Sequence, residues 1–288
     1  RRNMKELINR VIVALIGIPI GIYIIWYGSW LFFLAVLLIA SLALYEFNSM
    51  VKQKDIKPLF LINLITLILV LVFAFYVTLL DFSSIRYYIL TQTVSIFLSY
   101  FIFYFVALFI FTLFYRSQNP VLSFSISIGT LFYVLLPFIS LILLRLYNFG
   151  EINHQNSWRL LLTYFFSIWI CDTFAYFIGK KWGNHKIAPT VSPKKSWEGA
   201  IAGLIGAIIS FVMFSYIFDL TIGFANSIYL GTIIGVFGQI GDFVESNFKR
   251  DVQLKDSSNL LGQHGGILDR FDSIIFTAPI VLLYIINI

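Results

Sequence analysis

Charge is scarce in this sequence: Asp, Glu, Lys and Arg make up 12% of its 288 residues, where a soluble domain carries about 25%. With 59% apolar residues, a soluble globular fold is excluded as the main architecture. Cysteine is almost absent. The single Cys171 rules out an intrachain disulfide and, lying in an apolar stretch, reads as a packed thiol rather than a nucleophile. There is no Pro-rich linker, repeat or low-complexity tract. No GxxxxGK[ST] run occurs, which argues against a P-loop nucleotide site. No small-residue cleavage site clearly follows the basic "RRNMKELINR" and the apolar run after it, so this segment reads as a flank and first span rather than a signal peptide.

What the sequence has in quantity is long hydrophobic runs, with a mean hydropathy of +0.89. A spanning helix needs about 20 mostly apolar residues. Nine stretches qualify: 8–27, 30–48, 59–80, 87–115, 121–146, 159–180, 198–218, 226–247 and 267–287. The expectation is an all-α, polytopic integral membrane protein of about nine transmembrane helices. "YGS" at 27–29 reads as a tight turn, and Trp26, Tyr27 and Trp30 as interfacial anchors. With the N-terminus cytoplasmic and the spans alternating, 17 of the 20 Lys and Arg residues fall inside; Arg86, Arg145 and Arg159 fall outside. That asymmetry is the positive-inside pattern. It assigns the net charge of +6 to membrane flanks rather than to nucleic acid, and the chain to a cell (inner or plasma) membrane.

The two halves differ. Residues 1–150 show little beyond their spans and read as support, a lipid pocket or a dimer surface. Residues 151–288 carry two polar loops, 181–197 and 248–266, both expected on the inner face, where they can meet. The glycines at 199, 203, 206, 231, 235, 238 and 241 are read as close-packing positions between helices.

Two polar clusters carry chemistry. In "CDTFAYFIGKKWGNHKIAPTVSPKKSWEG", Asp172 is an acid inside a span, a costly placement that points to function. Ser196 suits a helix N-cap, and Lys194 and Lys195 beside hydroxyls suit phosphates, or else simply mark an inner loop. In the second cluster, Asp242, Glu245 and Lys249 share one helical face, and Asp269 and Asp272 share another. Carboxylates one turn apart, facing another from a neighbouring helix, suit Mg2+. Residues 246–272 hold eight of the 34 charged side chains. Cations next to acids make sense if the metal arrives with phosphates. Gly265-Gly266 before the last helix offers backbone N–H groups to an anion, and His264 a hydrogen bond to a phosphate oxygen. The residues therefore describe a divalent-metal and phosphate site at one membrane face.

The register of residues 246–272 is specific. Ser246, Lys249, Arg250, Lys255, Asp256, Ser258, Gly262, His264, Gly265, Gly266, Asp269, Arg270 and Asp272 resemble the signature of the phosphatidate cytidylyltransferases, also called CDP-diacylglycerol synthases, without a departure. "DTFAYFIGKKWG", "HKIAP" and "SPKKSWEG" are similar to that family's upstream segments. The resemblance implies an all-helical membrane enzyme, typically a homodimer, that makes CDP-diacylglycerol and pyrophosphate from CTP and phosphatidic acid. It also implies Mg2+, with a second cation left open. Asp242, Asp269 and Asp272 become the metal acids, with Lys255 among the catalytic residues. Asp172, Ser192, Lys194, Lys195, Ser196, Lys249, Arg250, His264, Gly265, Gly266 and Arg270 become the CTP and phosphate contacts. The rivals are a related enzyme acting on an archaeal ether lipid, a CTP-dependent polyprenol kinase, and a transporter. The last predicts repeats between the halves and midplane acids, whereas the polar residues here sit at one face of the second half.

Overall fold

A computed structural model describes residues 2–79, 86–114, 119–146, 156–262 and 265–288; within these, the side chains of 2–14 and 86–98 lie outside the description. Among the described residues the chain is nine α-helices and one small hairpin. The helices are α1 (Arg2–Tyr27), α2 (Ser29–Val51), α3 (Phe60–Leu79), α4 (Arg86–Phe114), α5 (Pro120–Leu146), α6 (Ser157–Trp182), α7 (Trp197–Ile217), α8 (Phe224–Asp251) and α9 (Leu268–Ile286). Strands β1 (Lys186–Ala188) and β2 (Ser192–Ser196) lie between α6 and α7.

Six of these helices (α2, α3 and α5–α8) are long and apolar enough to cross a membrane. They mark an integral membrane protein. α9 is not among the six, because Asp269, Arg270 and Asp272 crowd its start. Each helix satisfies its own backbone polar groups, which is what allows it to lie in hydrocarbon. Large apolar side chains such as Leu61, Phe103, Leu113 and Tyr216 accordingly face outward.

The core has two parts. α6, α7, α8 and α9 pack successively on one another, and α5 packs against α2, α3 and α9. In the first group the contact is set by glycine. A side chain at Gly203 would meet the Cys171 carbonyl oxygen of α6 at 3.0 Å, and one at Gly231 the Ile208 Cα of α7 at 2.6 Å. Small residues bring membrane helices together in this way because dispersion, not water expulsion, holds them. In the second group, Leu44, Leu67, Leu131 and Phe138 are buried. The aromatic rings of Phe47, Tyr133 and Phe248 join α2, α5 and α8, with centroids 5.1 to 5.9 Å apart.

The two ends of the bundle are distinct. At one end, Arg145 of α5 donates to the Ile25 carbonyl at 2.5 Å, the Trp26 carbonyl at 2.9 Å and Ser157 Oγ at 3.1 Å. It thus closes off the last carbonyls of α1, where cations are favoured. At the other end gather the C-termini of α2, α6 and α8, the N-termini of α7 and α9, and the hairpin. Lys54 and Asp251 pair there at 2.5 Å. This is the end at which the two polar loops were expected to meet.

Candidate active site

The hairpin follows from its sequence. Pro189 fixes the backbone after β1, and Val191 N–H returns to the Ala188 carbonyl at 3.2 Å. β1 and β2 then pair antiparallel, Lys186 opposite Ser196 and Ala188 opposite Ser192. Ser196 ends the hairpin and caps α7, its Oγ accepting from Gly199 N at 3.3 Å. Trp197 N–H donates to the His185 carbonyl at 2.9 Å, and His185 Nδ1 lies 2.6 Å from Glu198 Oε1. The hairpin is thereby fastened to the first turn of α7. Gly183 gives Ser196 room against α6: any side chain there would strike the Ser196 side chain.

Beneath the hairpin lies a cavity of about 700 Å3, within the usual range for small-molecule sites. Its polar wall includes Asp172 and Lys180 of α6, Lys186, Ser192, Lys194, Lys195 and Ser196 of the hairpin, and Gln239 and Asp242 of α8. Tyr176 offers an aromatic face. Four ammonium groups and two hydroxyls on one rim make an anion receptor. Two carboxylates, Asp172 and Asp242, line the same cavity, and Asp242 is paired with one of the ammonium groups.

Those carboxylates belong to a larger acidic group. Asp272 of α9 lies within electrostatic reach of Asp242, Glu245 and Asp172, and Asp172 within reach of Asp242 and Lys195. Lys195 Nζ forms an ion pair with Asp242 Oδ2 and stands 4.2 Å from the centre of the Phe243 ring. Glu245 is 1% exposed, and neither of its carboxylate oxygens has a hydrogen-bond partner among the described residues. Its nearest cation is Lys249, 3.2 Å from Oε2. Among the described residues no three acids, histidines or cysteines are gathered closely enough to form a ready metal cage.

A second network stands beside the cavity. Asp269, near the start of α9, accepts Lys249 Nζ at 2.5 Å on one oxygen. Its other oxygen takes Ser257 N at 2.9 Å, Ser257 Oγ at 3.0 Å and Gly266 N at 2.8 Å. Glu46 of α2, wholly buried, accepts from Ile267 N at 2.8 Å, Leu268 N at 2.9 Å, Ser258 Oγ at 2.5 Å and Ser257 Oγ at 3.1 Å. A carboxylate at a helix N-terminus meets both the unbonded amides and the positive end of the dipole.

The structure thus sorts the expected site residues into two neighbourhoods. Asp172, Ser192, Lys194, Lys195, Ser196 and Asp242 line the cavity together, and Asp272 lies in their acidic group. Lys249, Asp269 and Gly266 belong to the network instead. Lys249 is 8% exposed, and its ammonium is engaged by carboxylates. The amides after Gly265 that suited a phosphate are directed at Asp269 and Glu46. Gly265 itself has φ +78°, the left-handed conformation that glycine adopts without strain. Arg250 is exposed and donates to the Leu254 carbonyl at 2.7 Å. Lys255 and Arg270 are exposed, and His264 lies outside the described residues. Glu46, Gln239 and Tyr176 are additions that sequence reasoning missed. Glu46 had a signal: "LALYEFNSM" places an acid in an apolar span, the same warrant that singled out Asp172.

Comparison with known proteins identifies the family of the chain. The model of the "Cytidylyltransferase family" matches residues 8–287. A phosphatidate cytidylyltransferase of Rickettsia bellii is 46% identical over 143 residues, 47% of this chain and 60% of that protein. Proteins of the same name from Aquifex aeolicus and Bacillus subtilis are 43% identical over 123 residues and 42% identical over 135 residues. These stretches cover 43% and 46% of this chain, and 46% and 49% of those proteins. The chain spans about half the length of the curated relatives it matches. With the family model running through every described helix from α1 to α9, the chain belongs to the cytidylyltransferase family.

Proposed function

We propose that the chain is a phosphatidate cytidylyltransferase, joining CTP and phosphatidic acid to give CDP-diacylglycerol and pyrophosphate. The observation that carries this reading is the cavity: a rim of lysines and serines above paired acids, at one end of a membrane bundle. CTP is a polyanion with a flat base. Lys180, Lys186, Lys194 and Lys195 meet its phosphates as point charges, Ser192 and Ser196 donate to phosphate oxygens, and Tyr176 offers a stacking face. The relatives' name supplies the lipid substrate.

The lipid phosphate carries about −1.5 to −2 charges at neutral pH, so it is a nucleophile without a strong base. One of its oxygens bonds to the α-phosphorus of CTP. The bond from that phosphorus to the oxygen bridging to the β-phosphate breaks, and pyrophosphate leaves with the electron pair. The site's task is to hold two anions together and stabilise the charge that develops.

Mg2+ fits the donor set. Asp172, Asp242 and Asp272 form a mutually repelling group of hard oxygens. Mg2+ binds through one or two carboxylates with substrate phosphates completing its shell, so a ready-made protein cage is not required. Asp242 and Asp272 would hold it, and it would neutralise phosphate charge. Asp269 already accepts from Lys249 Nζ, Ser257 N and Gly266 N, and we assign it to holding the loop. The distribution of Lys and Arg supports a cytoplasmic position for this end of the bundle, where CTP is supplied.

The test is product analysis. Full-length protein in mixed micelles receives labelled CTP and phosphatidic acid, with and without Mg2+. CDP-lipid and pyrophosphate, formed only with both lipid and metal, are expected. Phosphorylated lipid plus CDP would mark a kinase and overturn the reading. Preference for an ether-linked phosphate lipid would move it to the related synthase.

A further inference from the structure

We infer that Glu46 is a positioning residue of this site, contributed by the half of the chain that carries none of the signature. The argument rests on the functional reading above and deepens it. Glu46 is 0% exposed and lies on α2, more than 200 residues from its partners in sequence. It accepts from the two amides that open α9, Ile267 N and Leu268 N, and from Ser258 Oγ, and it shares the one Ser257 hydroxyl proton with Asp269. Its carboxylate therefore fills the anion position at the N-terminus of α9. The amides of Ile267 and Leu268 are thereby engaged by Glu46 rather than open to a substrate phosphate.

What this contact fixes is the height and rotation of α9. Asp269 follows Leu268 directly, and Asp272 stands one turn on. Ser257 is shared: its hydroxyl lies 3.1 Å from Glu46 Oε2 and 3.0 Å from Asp269 Oδ2. Asp269 in turn holds Lys249, 20 residues back on α8. The chain of contacts from Glu46 through Ser257 and Asp269 to Lys249 sets α9 against α8, and so sets Asp272 against Asp242. Gly266 makes the approach possible, since a side chain there would lie 2.6 Å from Glu46 Oε2. The CTP cavity, lined by α6, the hairpin, α7 and α8, does not include Glu46 among its lining residues.

The role separates kcat from KM. Glu46→Gln keeps the shape and loses two acceptor positions. It lowers kcat by about 10- to 100-fold, the range for partners that orient ligands from behind. The KM for CTP stays within about 2-fold, because the residues lining the cavity are not in contact with Glu46. Glu46→Asp, which keeps the charge, recovers part of the rate. Hydrogen exchange read on the same proteins shows faster exchange at the amides of residues 257–268, with 171–200 unchanged. Ser258→Ala, which removes one donor only, moves kcat and exchange in the same direction by less.

A folded Glu46→Gln protein with wild-type kcat overturns the inference. So does loss of kcat with a matching change in KM and a general rise in exchange, which marks a merely structural acid. If Glu46→Gln does not fold, Ser258→Ala decides: unchanged kcat and exchange overturn the inference, and a selective fall in kcat supports it. If wild-type protein forms no CDP-lipid, the functional reading fails on its own; the exchange arm still tests whether Glu46 holds the loop, and unchanged exchange in Glu46→Gln rejects that.

Discussion

Lys195 of the hairpin and Asp242 of α8 are ion-paired in the wall of the cavity, with the centre of the Phe243 ring 4.2 Å from the same ammonium. Hairpin and helix are thus joined in the wall where the proposed function puts the phosphates and the metal acids. Removing one preorganised electrostatic group from such a site costs about 10^2- to 10^3-fold in kcat. Asp242→Asn is expected to lose activity on that scale. Lys195→Ala is expected to raise the KM for CTP by about 10-fold or more, since a charge-assisted contact of about 1.5 kcal/mol or more goes. Initial rates over a CTP series check both. A Lys195→Ala enzyme with unaltered KM and kcat would return the lysine to an ordinary basic loop.

Lys249 is expected to act on stability before chemistry. It is buried between Glu245 and Asp269, and removing one member of a buried pair costs about 3 to 5 kcal/mol. Lys249→Ala should lower the Tm measured in detergent and lose activity with it. A phosphate-binding lysine would behave oppositely, raising the KM for CTP at an unchanged Tm.

The glycine contacts predict opposite signs at two positions. Gly231→Val forces a side chain toward Ile208 Cα at 2.6 Å, and overpacking costs about 1 to 3 kcal/mol. Gly129 of α5 has nothing within 4 Å of an added methyl. Gly129→Ala should therefore stabilise, by about 0.4 to 1 kcal/mol. Paired thermal melts read the two directions.

Arg145 supplies a control far from the cavity. It is 2% exposed and donates to two carbonyls that end α1. Each hydrogen bond to a charged group is worth about 1.5 to 3 kcal/mol. Arg145→Met should lower the Tm while leaving the KM for CTP of the folded fraction unchanged. A selective change in that KM would link the two ends of the bundle.

The helices were legible because lipid demands long apolar runs and the sequence has little else. Predicted 59–80 and 121–146 became Phe60–Leu79 and Pro120–Leu146. The span over 226–247 runs through its glycines as one 28-residue helix, with Gly231, Gly235 and Gly241 in close approach to neighbouring helices. The cap at Ser196 was readable, whereas the hairpin before it was not. Its strands are three and five residues long and alternate too briefly for periodicity to register. At the site, spacing along one helix brought Asp242, Glu245 and Lys249 together correctly. It carried no information on which cation meets which acid, for that depends on the rotation of α8 against α9. Glu46 escaped because its partners lie in a loop read as substrate-binding. A local motif cannot reveal that its anion comes from its own chain.

The distance along the chain between Glu46 and α9 has a consequence for assembly. α2 is made well before α9. Until α9 is inserted, Glu46 is a carboxylate in an apolar helix without its donors. Until α2 is in place, the amides that open α9 have no acceptor. Each needs the other to complete its own solvation, so neither half can settle the reactive end alone. A ribosome that stops short of α9 leaves the buried carboxylate of Glu46 unanswered.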